Sequence, residues 1–448
     1  MGHGPAIHST HSGEKHAVTM IDVDAVLDEA IERFAAKRPK TKALHARAAK
    51  VMPGGNTRTI LYTAPFPIRA GSAKGSEITD IDGNSYLDLV GEYSAGIYGH
   101  SHPRIKRAVT DALEMGINIG AHHGREVEFA EAVTKRFNLE LVRFTNSGTE
   151  ANMMALAAAR CFTGRAKIMP MHGGYHGGTL YFSHGASPVN APFECVLGHF
   201  NDAEGTRKLI GEHAADLAAV IVEPMLGGGG CIPPEPGFLA ALREETAKRG
   251  IVLIFDEVMT SRLHPGGLSA KLGIKPDLKT LGKYIGGGMS FGAFGGSSAI
   301  MAQFDPSTPN ALPHAGTFNN NTLTMTAGLA GITEVFTPDA CVELNARGDR
   351  LRETLNDMFM RYQVRMRATG MGSMITLHPV AGDIRSPTDS AKADARLKRL
   401  LFLDLLHQGI YIAERGFIAL SLLVTDADCT RVVAGVEDFI KNRRELLV

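Results

Sequence analysis

No excess of either charge marks this chain: 47 Lys and Arg residues stand against 47 Asp and Glu. That balance removes the electrostatic reason to expect a nucleic acid or an anionic membrane surface as partner. No uninterrupted apolar run approaches the ~20 residues a membrane span needs. Short runs such as Ile251 to Phe255 read as buried strands. Cysteine is scarce. Cys161, Cys195, Cys231, Cys341 and Cys429 are odd in number, far apart and without a C-x-x-C spacing. This argues against a disulfide framework and for a reducing, cytoplasmic setting. A secretory h-region is also missing: residues 1–19 are polar, with His3, His8, His11 and His16 among Ser, Gly and Thr. They read as a flexible tail. There is no internal repeat and no low-complexity linker.

Glycine, by contrast, is abundant. Fifty in 448 residues are too many for a helical bundle and point to tight turns and close backbone approaches. The length suits two domains, or one large unit with a smaller one. Residues 20–50 have helical periodicity, followed by a Met52-Pro53-Gly54-Gly55 loop. Residues 77–90 alternate as a hairpin would, with Asp82-Gly83-Asn84 as its turn. Beyond about residue 105, apolar strands at Leu141–Thr145, Lys167–Met171, Leu217–Val222, Ile251–Phe255 and Leu278–Leu281 alternate with helical patterns at 149–162, 203–214 and 236–249. That order is an α/β fold with a mainly parallel sheet flanked by helices. After Thr317 we expect a helix to Phe336, another over Pro338–Tyr362, then strands and helices to the end. The expected division is a tail at 1–19, an N-terminal segment of the small domain at 20–75, a large domain at 76–335, and the C-terminal part of the small domain at 336–448.

Open parallel sheets bind ligands at the carboxyl ends of their strands, and four segments follow such ends. Asn146-Ser147-Gly148-Thr149-Glu150 joins a strand to a helix, so free N–H groups and the Ser147 and Thr149 hydroxyls offer a phosphate cradle; a plain N-cap is the structural alternative. Asp256 ends a fully apolar strand and needs a partner there, either a cationic ligand atom or an internal cation such as Arg262. Lys283 precedes Gly286-Gly287-Gly288. It is followed by Tyr284, so this is not a nucleotide P-loop; a desolvated lysine can act as an amine nucleophile, or it can be an ordinary strand-end charge. His172 and His176 are spaced as metal ligands could be, but four glycines in seven residues make a helix unfavourable and no carboxylate or cysteine stands nearby in sequence, so no metal is expected. Tyr175, framed by glycines, suits a flat ligand better. A phosphate cradle, a ring platform, a carboxylate for a ring nitrogen and a reactive lysine together make a pyridoxal 5'-phosphate (PLP) site. The separation of 27 positions from Asp256 to Lys283 allows one helix and one strand.

Eight segments, Met52–Asn56, Tyr98–Pro103, Asn146–Ala151, Gly174–Gly177, Glu223-Pro224, Asp256–Thr260, Gly282–Gly288 and Gly316–Phe318, resemble a class III (ω-) aminotransferase of PLP fold type I. The chain looks most similar to the β-phenylalanine (β-amino acid) aminotransferases, with glutamate-1-semialdehyde aminomutases as the neighbouring branch. The resemblance implies a seven-stranded type of large-domain sheet and a smaller α+β domain. It also implies that Lys283 forms the Schiff base and that Asp256 pairs with the pyridinium nitrogen. Tyr175 and Met259 would flank the ring, beside His176. Ser147, Gly148 and Thr149 would hold the phosphate, with Thr317 reaching it from the other subunit of a homodimer. Glu223 would be a positioning group. Arg58 and Arg415 match the arginines that hold substrate carboxylates in those relatives, a task that suits their bidentate fork. The implied reaction moves an amino group from a β-amino acid to 2-oxoglutarate or pyruvate. Phe66, Tyr93 and Phe318 are candidate pocket walls or core packing. The alternatives are an aminomutase, a general ω-amine transaminase, and a non-enzymatic protein that keeps the fold; an intact Lys283 and Asp256 argue against the last.

Overall fold

The computed structural model describes residues 22–448 apart from Asn118 and His184, so the expected histidine tail lies outside the described residues. The N-terminal periodicity forms two helices, Val23–Ala36 and Pro39–Ala48, broken where Pro39 opens the second. Three strands follow, β1 (Ala70–Lys74), β2 (Glu77–Asp80) and β3 (Ser85–Asp88), with the hairpin turn at 82–84 as expected. The middle of the chain supplies β4 (Leu141–Thr145), β5 (Lys167–Met169), β6 (Met171–His172), β7 (Gly198–His199), β8 (Leu217–Val222), β9 (Val252–Asp256), β10 (Leu278–Gly282) and β11 (Gly292–Gly296). The C-terminal part adds β12 (Arg367–Met371), β13 (Met374–His378), β14 (Ile410–Tyr411) and β15 (Phe417–Ala419).

The large sheet has the order β4-β11-β10-β9-β8-β5. Its β5, β8, β9 and β10 are parallel, and β11 runs antiparallel to both neighbours. Every residue of β8 and β9 is buried, which is why those strands are apolar without alternation. Six continuous strands are present among the described residues, not seven. The seventh position is filled by a broken edge: Ile168 bridges to Cys195, and β6 pairs with β7 beyond Pro170. Pro170 has no N–H to give a ladder, so it divides one strand into β5 and β6.

In the second sheet β14 pairs with β3. The hairpin at 77–88 therefore shares a sheet with the C-terminal part, and the expected boundary at 75/76 runs through that sheet. The helix expected to reach Phe336 is α-helical over Thr322–Ala330 and widens into a π turn over Gly331–Val335. Gly331 lies there against the Tyr98 ring, with no room for a Cβ. The helix Pro338–Tyr362 has its expected bounds, capped by the Thr337 side chain and closed by left-handed Gln363. Among the described residues no helix is long and apolar enough to cross a membrane.

Candidate active site

Four strand ends meet at one edge of the large sheet. β4 leads through Asn146 and Ser147 into the helix Gly148–Thr163, β8 ends before Glu223, β9 ends in Asp256, and β10 hands over to Lys283. β11 starts at this edge, with Gly292 paired to Thr145 on one side and Gly282 on the other. A Cβ at 292 would overlap Ser147 O and Thr145 Oγ1. Glycine there seats the helix N-terminus on the sheet beside Lys283. A cleft of about 280 Å³ results, lined by Ser147, Gly148, Thr149, Tyr175, His176, Glu223, Asp256, Met259 and Lys283 among others. The structure thus brings together nine of the sequence-selected residues.

Lys283 has φ +55°, and its Nζ donates to Tyr93 O at 2.6 Å. Burial, and secondly the Arg415 charge, push its pKa down to about 8, against the pull of Asp256 and Glu223. Its amine is therefore far closer to neutral at physiological pH than a free lysine.

Asp256 is buried and held by three donors: Asn152 Nδ2 and His176 Nδ1 reach Oδ2 at 2.8 Å each, and the Val258 N–H reaches Oδ1 at 3.0 Å. Among the described residues no Lys or Arg pairs with it. The internal partner weighed from sequence, Arg262, instead donates to Ser373 Oγ at 3.0 Å, Ser94 O at 3.2 Å and Leu420 O. Sequence reasoning missed Asn152. It also donates to His176 O at 2.8 Å and accepts from Thr280 Oγ1 at 2.6 Å, locking helix, loop and strand around the carboxylate. The available signal was a lone amide in the apolar run of residues 151–159. The His172 and His176 rings do not converge; His172 faces His199, and among the described residues no three or more His, Cys, Asp and Glu form a metal-binding group.

At the helix end Ser147 Oγ accepts from Glu150 N at 3.2 Å. The side chain is thus an N-cap, and the N–H groups of Gly148 and Thr149 remain turned out of the helix. On the far wall Glu223 accepts from Tyr175 N at 2.9 Å and Gly227 N at 3.0 Å. Burial raises its pKa to about 7. Gly227 and Gly228 let this loop pass: a Cβ would lie 2.6 Å from Met259 Sδ in one case and 3.2 Å from Tyr175 Cβ in the other.

The rim is built differently. Gly91, Glu92, Tyr93 and Ser94 have φ of +51°, +49°, +49° and +78°. Three consecutive non-glycine residues in the left-handed region cost ~1–2 kcal/mol each. Surrounding contacts hold the turn: Tyr93 O takes the Lys283 amine and Ser94 O takes Arg262. The Tyr93 ring stacks on Phe417 at 5.7 Å, and its hydroxyl donates to Ile60 O at 2.9 Å. Arg415 lies over both rings, 5.1 Å from Tyr93 and 5.3 Å from Phe417, and donates to Gly228 O at 3.4 Å. Arg58 pairs with Glu92. Thr317 is exposed and does not line this cleft. Of the candidate walls, Tyr93 is at the rim. Phe66 packs on Phe34 at 5.3 Å in the core, and Phe318 is solvent-exposed.

A family model described as aminotransferase class-III matches residues 62–440. The β-phenylalanine transaminase of Variovorax paradoxus is 49% identical over 431 residues, covering 96% of this chain and 99% of that protein. The crystal structure of the β-phenylalanine aminotransferase from that organism superposes with a TM-score of 0.94 at 50% identity, covering 95% and 99% of the two chains. A glutamate-1-semialdehyde 2,1-aminomutase of Thermoplasma acidophilum is 37% identical, covering 84% and 92%. A structure described as a transaminase with PLP bound superposes with a TM-score of 0.83 at 32% identity, covering 90% and 97%.

Proposed function

The chain belongs to the class-III aminotransferases, and on that premise we propose that it moves an amino group from a β-amino acid with an aromatic side chain to an α-keto acid, 2-oxoglutarate or pyruvate, with its PLP held at Lys283. The residues present fit that cofactor. A helix N-terminus with outward N–H groups suits a phosphate, and Asp256 is a buried carboxylate with donors fixed on it and, among the described residues, no lysine or arginine attached. When bound, PLP supplies a carbonyl for the substrate nitrogen and a ring that takes up the electrons of the broken C–H bond.

The protein's own residues do the rest. Asp256, oriented by Asn152 and His176, keeps the proton on the ring nitrogen. Tyr175 and Met259 confine the ring, and Glu223 holds the Tyr175 backbone. The Lys283 amine, with its lowered pKa, would take the proton from the substrate carbon and deliver it to the carbon that was the cofactor's carbonyl. Arg58 holds the carboxylate of the β-amino acid and Arg415 that of the keto acid. Thr317, exposed on its own subunit, serves the phosphate of a second copy in a homodimer, working in the cytoplasm.

The observation that carries this reading is the convergence of Lys283, Asp256 and the helix N-terminus at Ser147–Thr149 on one cleft, with Arg58 and Arg415 at its rim. The test is product identification after incubating the holoenzyme with (S)-β-phenylalanine and each keto acid. Amino transfer to the keto acid is expected. Isomerisation of glutamate-1-semialdehyde without β-phenylalanine turnover would favour the aminomutase branch.

A further inference from the structure

We infer that Glu92 is a specificity-determining residue: its carboxylate occupies Arg58 in the free protein, and the carboxylate of the amino donor must displace it. The inference rests on the reading of Arg58 as the donor's carboxylate site. The Glu92 backbone is pinned. It sits in the left-handed turn, between Gly91, which abuts Ala419, and Tyr93, whose carbonyl receives the Lys283 amine. Its side chain is not pinned: 57% of it is exposed, and its partner Arg58 is 41% exposed. Arg58 is its one ion-pair partner among the described residues. The pair nevertheless stands beside the reaction centre, because Glu92 immediately precedes Tyr93, whose carbonyl takes the Lys283 amine.

A pair of this exposure contributes little to stability, so stabilising the fold does not account for a strained turn that presents a carboxylate at this point. Exchange of one carboxylate for another at the same guanidinium conserves charge and hydrogen bonds. A donor that brings a carboxylate restores what Glu92 gives up. A ligand without one leaves Arg58 paired with Glu92. Glu92 thereby works as a threshold that a carboxylate-bearing donor overcomes at a modest expense in affinity.

The test uses the holoenzyme and Glu92→Gln, which keeps the size and loses the charge. The KM for (S)-β-phenylalanine, and the Kd of the unreactive mimic 3-phenylpropanoate, should each fall about two- to fivefold, the range of an exposed pair. The kcat should hold, and affinity for the neutral isostere 3-phenylpropanamide should not rise. A rise in KM for β-phenylalanine would overturn the inference, because Glu92 would then be orienting Arg58. An equal gain for acid and amide would also overturn it, because the variant would merely have widened the rim. Arg58→Ala separates the two readings. If Arg58→Ala weakens 3-phenylpropanoate binding and Glu92→Gln does not strengthen it, Arg58 is the carboxylate site and the inference about Glu92 falls alone. If Arg58→Ala leaves binding unchanged, both fall.

Discussion

At the sheet edge Asp256 is gripped by three donors from a helix, a loop and its own strand end, and is buried. At the rim Arg58 is gripped by one exposed carboxylate on a left-handed turn, and Arg415 rests on two aromatic rings and a single carbonyl. The groups that must not move during proton transfer stand on regular elements, where ladder hydrogen bonds and packing define them. Arg58 and Arg415, which on the proposed function would serve two substrates in turn, stand on loops with replaceable partners. Rigidity and exchangeability are thus assigned to different parts of one cleft, which is the division that alternating half-reactions require.

Removing Asp256 attacks the rigid side and should have the largest effect. Asp256→Ala leaves the cofactor ring nitrogen without its counter-charge, and turnover should drop ~10²-fold or more, the scale of losing a strong transition-state electrostatic contact. The loss should appear equally in both half-reactions, since both use the same ring. Single-turnover rates measured separately for amino donor and keto acid check it, and near wild-type turnover would remove Asp256 from its role as counter-charge to the ring.

The same measurement at the rim should give the opposite pattern. Loss of a charge-assisted pair costs ~1.5–3 kcal/mol, or roughly 10- to 100-fold in the affected step. Arg58→Ala should slow deamination of the β-amino acid more than the keto-acid half-reaction, and Arg415→Ala the reverse. Equal losses in both half-reactions for each variant would erase the contrast between rim and edge.

The contrast also describes what could be read from the amino acids alone. The edge was legible because Asp256 stands where a fully apolar run stops and Lys283 stands between a short strand and a glycine triplet. Asn152 was not, because one amide inside a helix gives no sign of which face meets the sheet. The rim was largely illegible. Gly91-Glu92-Tyr93-Ser94 contains one glycine where four positive φ values occur, and contacts from residues 262, 283 and 419 enforce that shape, not local preference. Phe66 and Phe318 show the same limit: an aromatic side chain carries no mark of whether it meets a core, a cleft or solvent. The strand expected over Lys167–Met171 ran through Pro170, where the structure breaks it, and the paired edge at Cys195 and β7 shows that the sheet continues across the break.

Glu223 sharpens the comparison by the smallest effect. Its pKa is raised by burial from the ordinary value to about 7, so between about pH 4.5 and 7 the folded protein binds a proton that the unfolded chain releases. Stability contributed by this group is full below that window and is lost as pH rises through about 7. Against Glu223→Gln, wild-type cofactor-free protein should lose on the order of 1–3 kcal/mol between pH 5 and pH 7.5 in denaturant melts. Rim variants such as Glu92→Gln should show no such difference. A flat wild-type difference across that window would mean that the two backbone donors compensate Glu223 fully.

Arg262 gives the chain a schedule. Its guanidinium is fully buried and its partners are Ser94, Ser373 and Leu420, which emerge from a ribosome at very different times. A nascent chain that has passed residue 262 can offer it Ser94, yet two of its three partners do not exist until residues 373 and 420 have been added. Until then, burial of that charge is heavily penalised, so the left-handed turn it secures, and the carbonyl that turn offers to Lys283, cannot settle early. Chains stopped short of Leu420 should therefore be open to proteases at residues 91–96 even when the large sheet has formed, and the Lys283 amine takes its final surroundings only after residue 420 has been made.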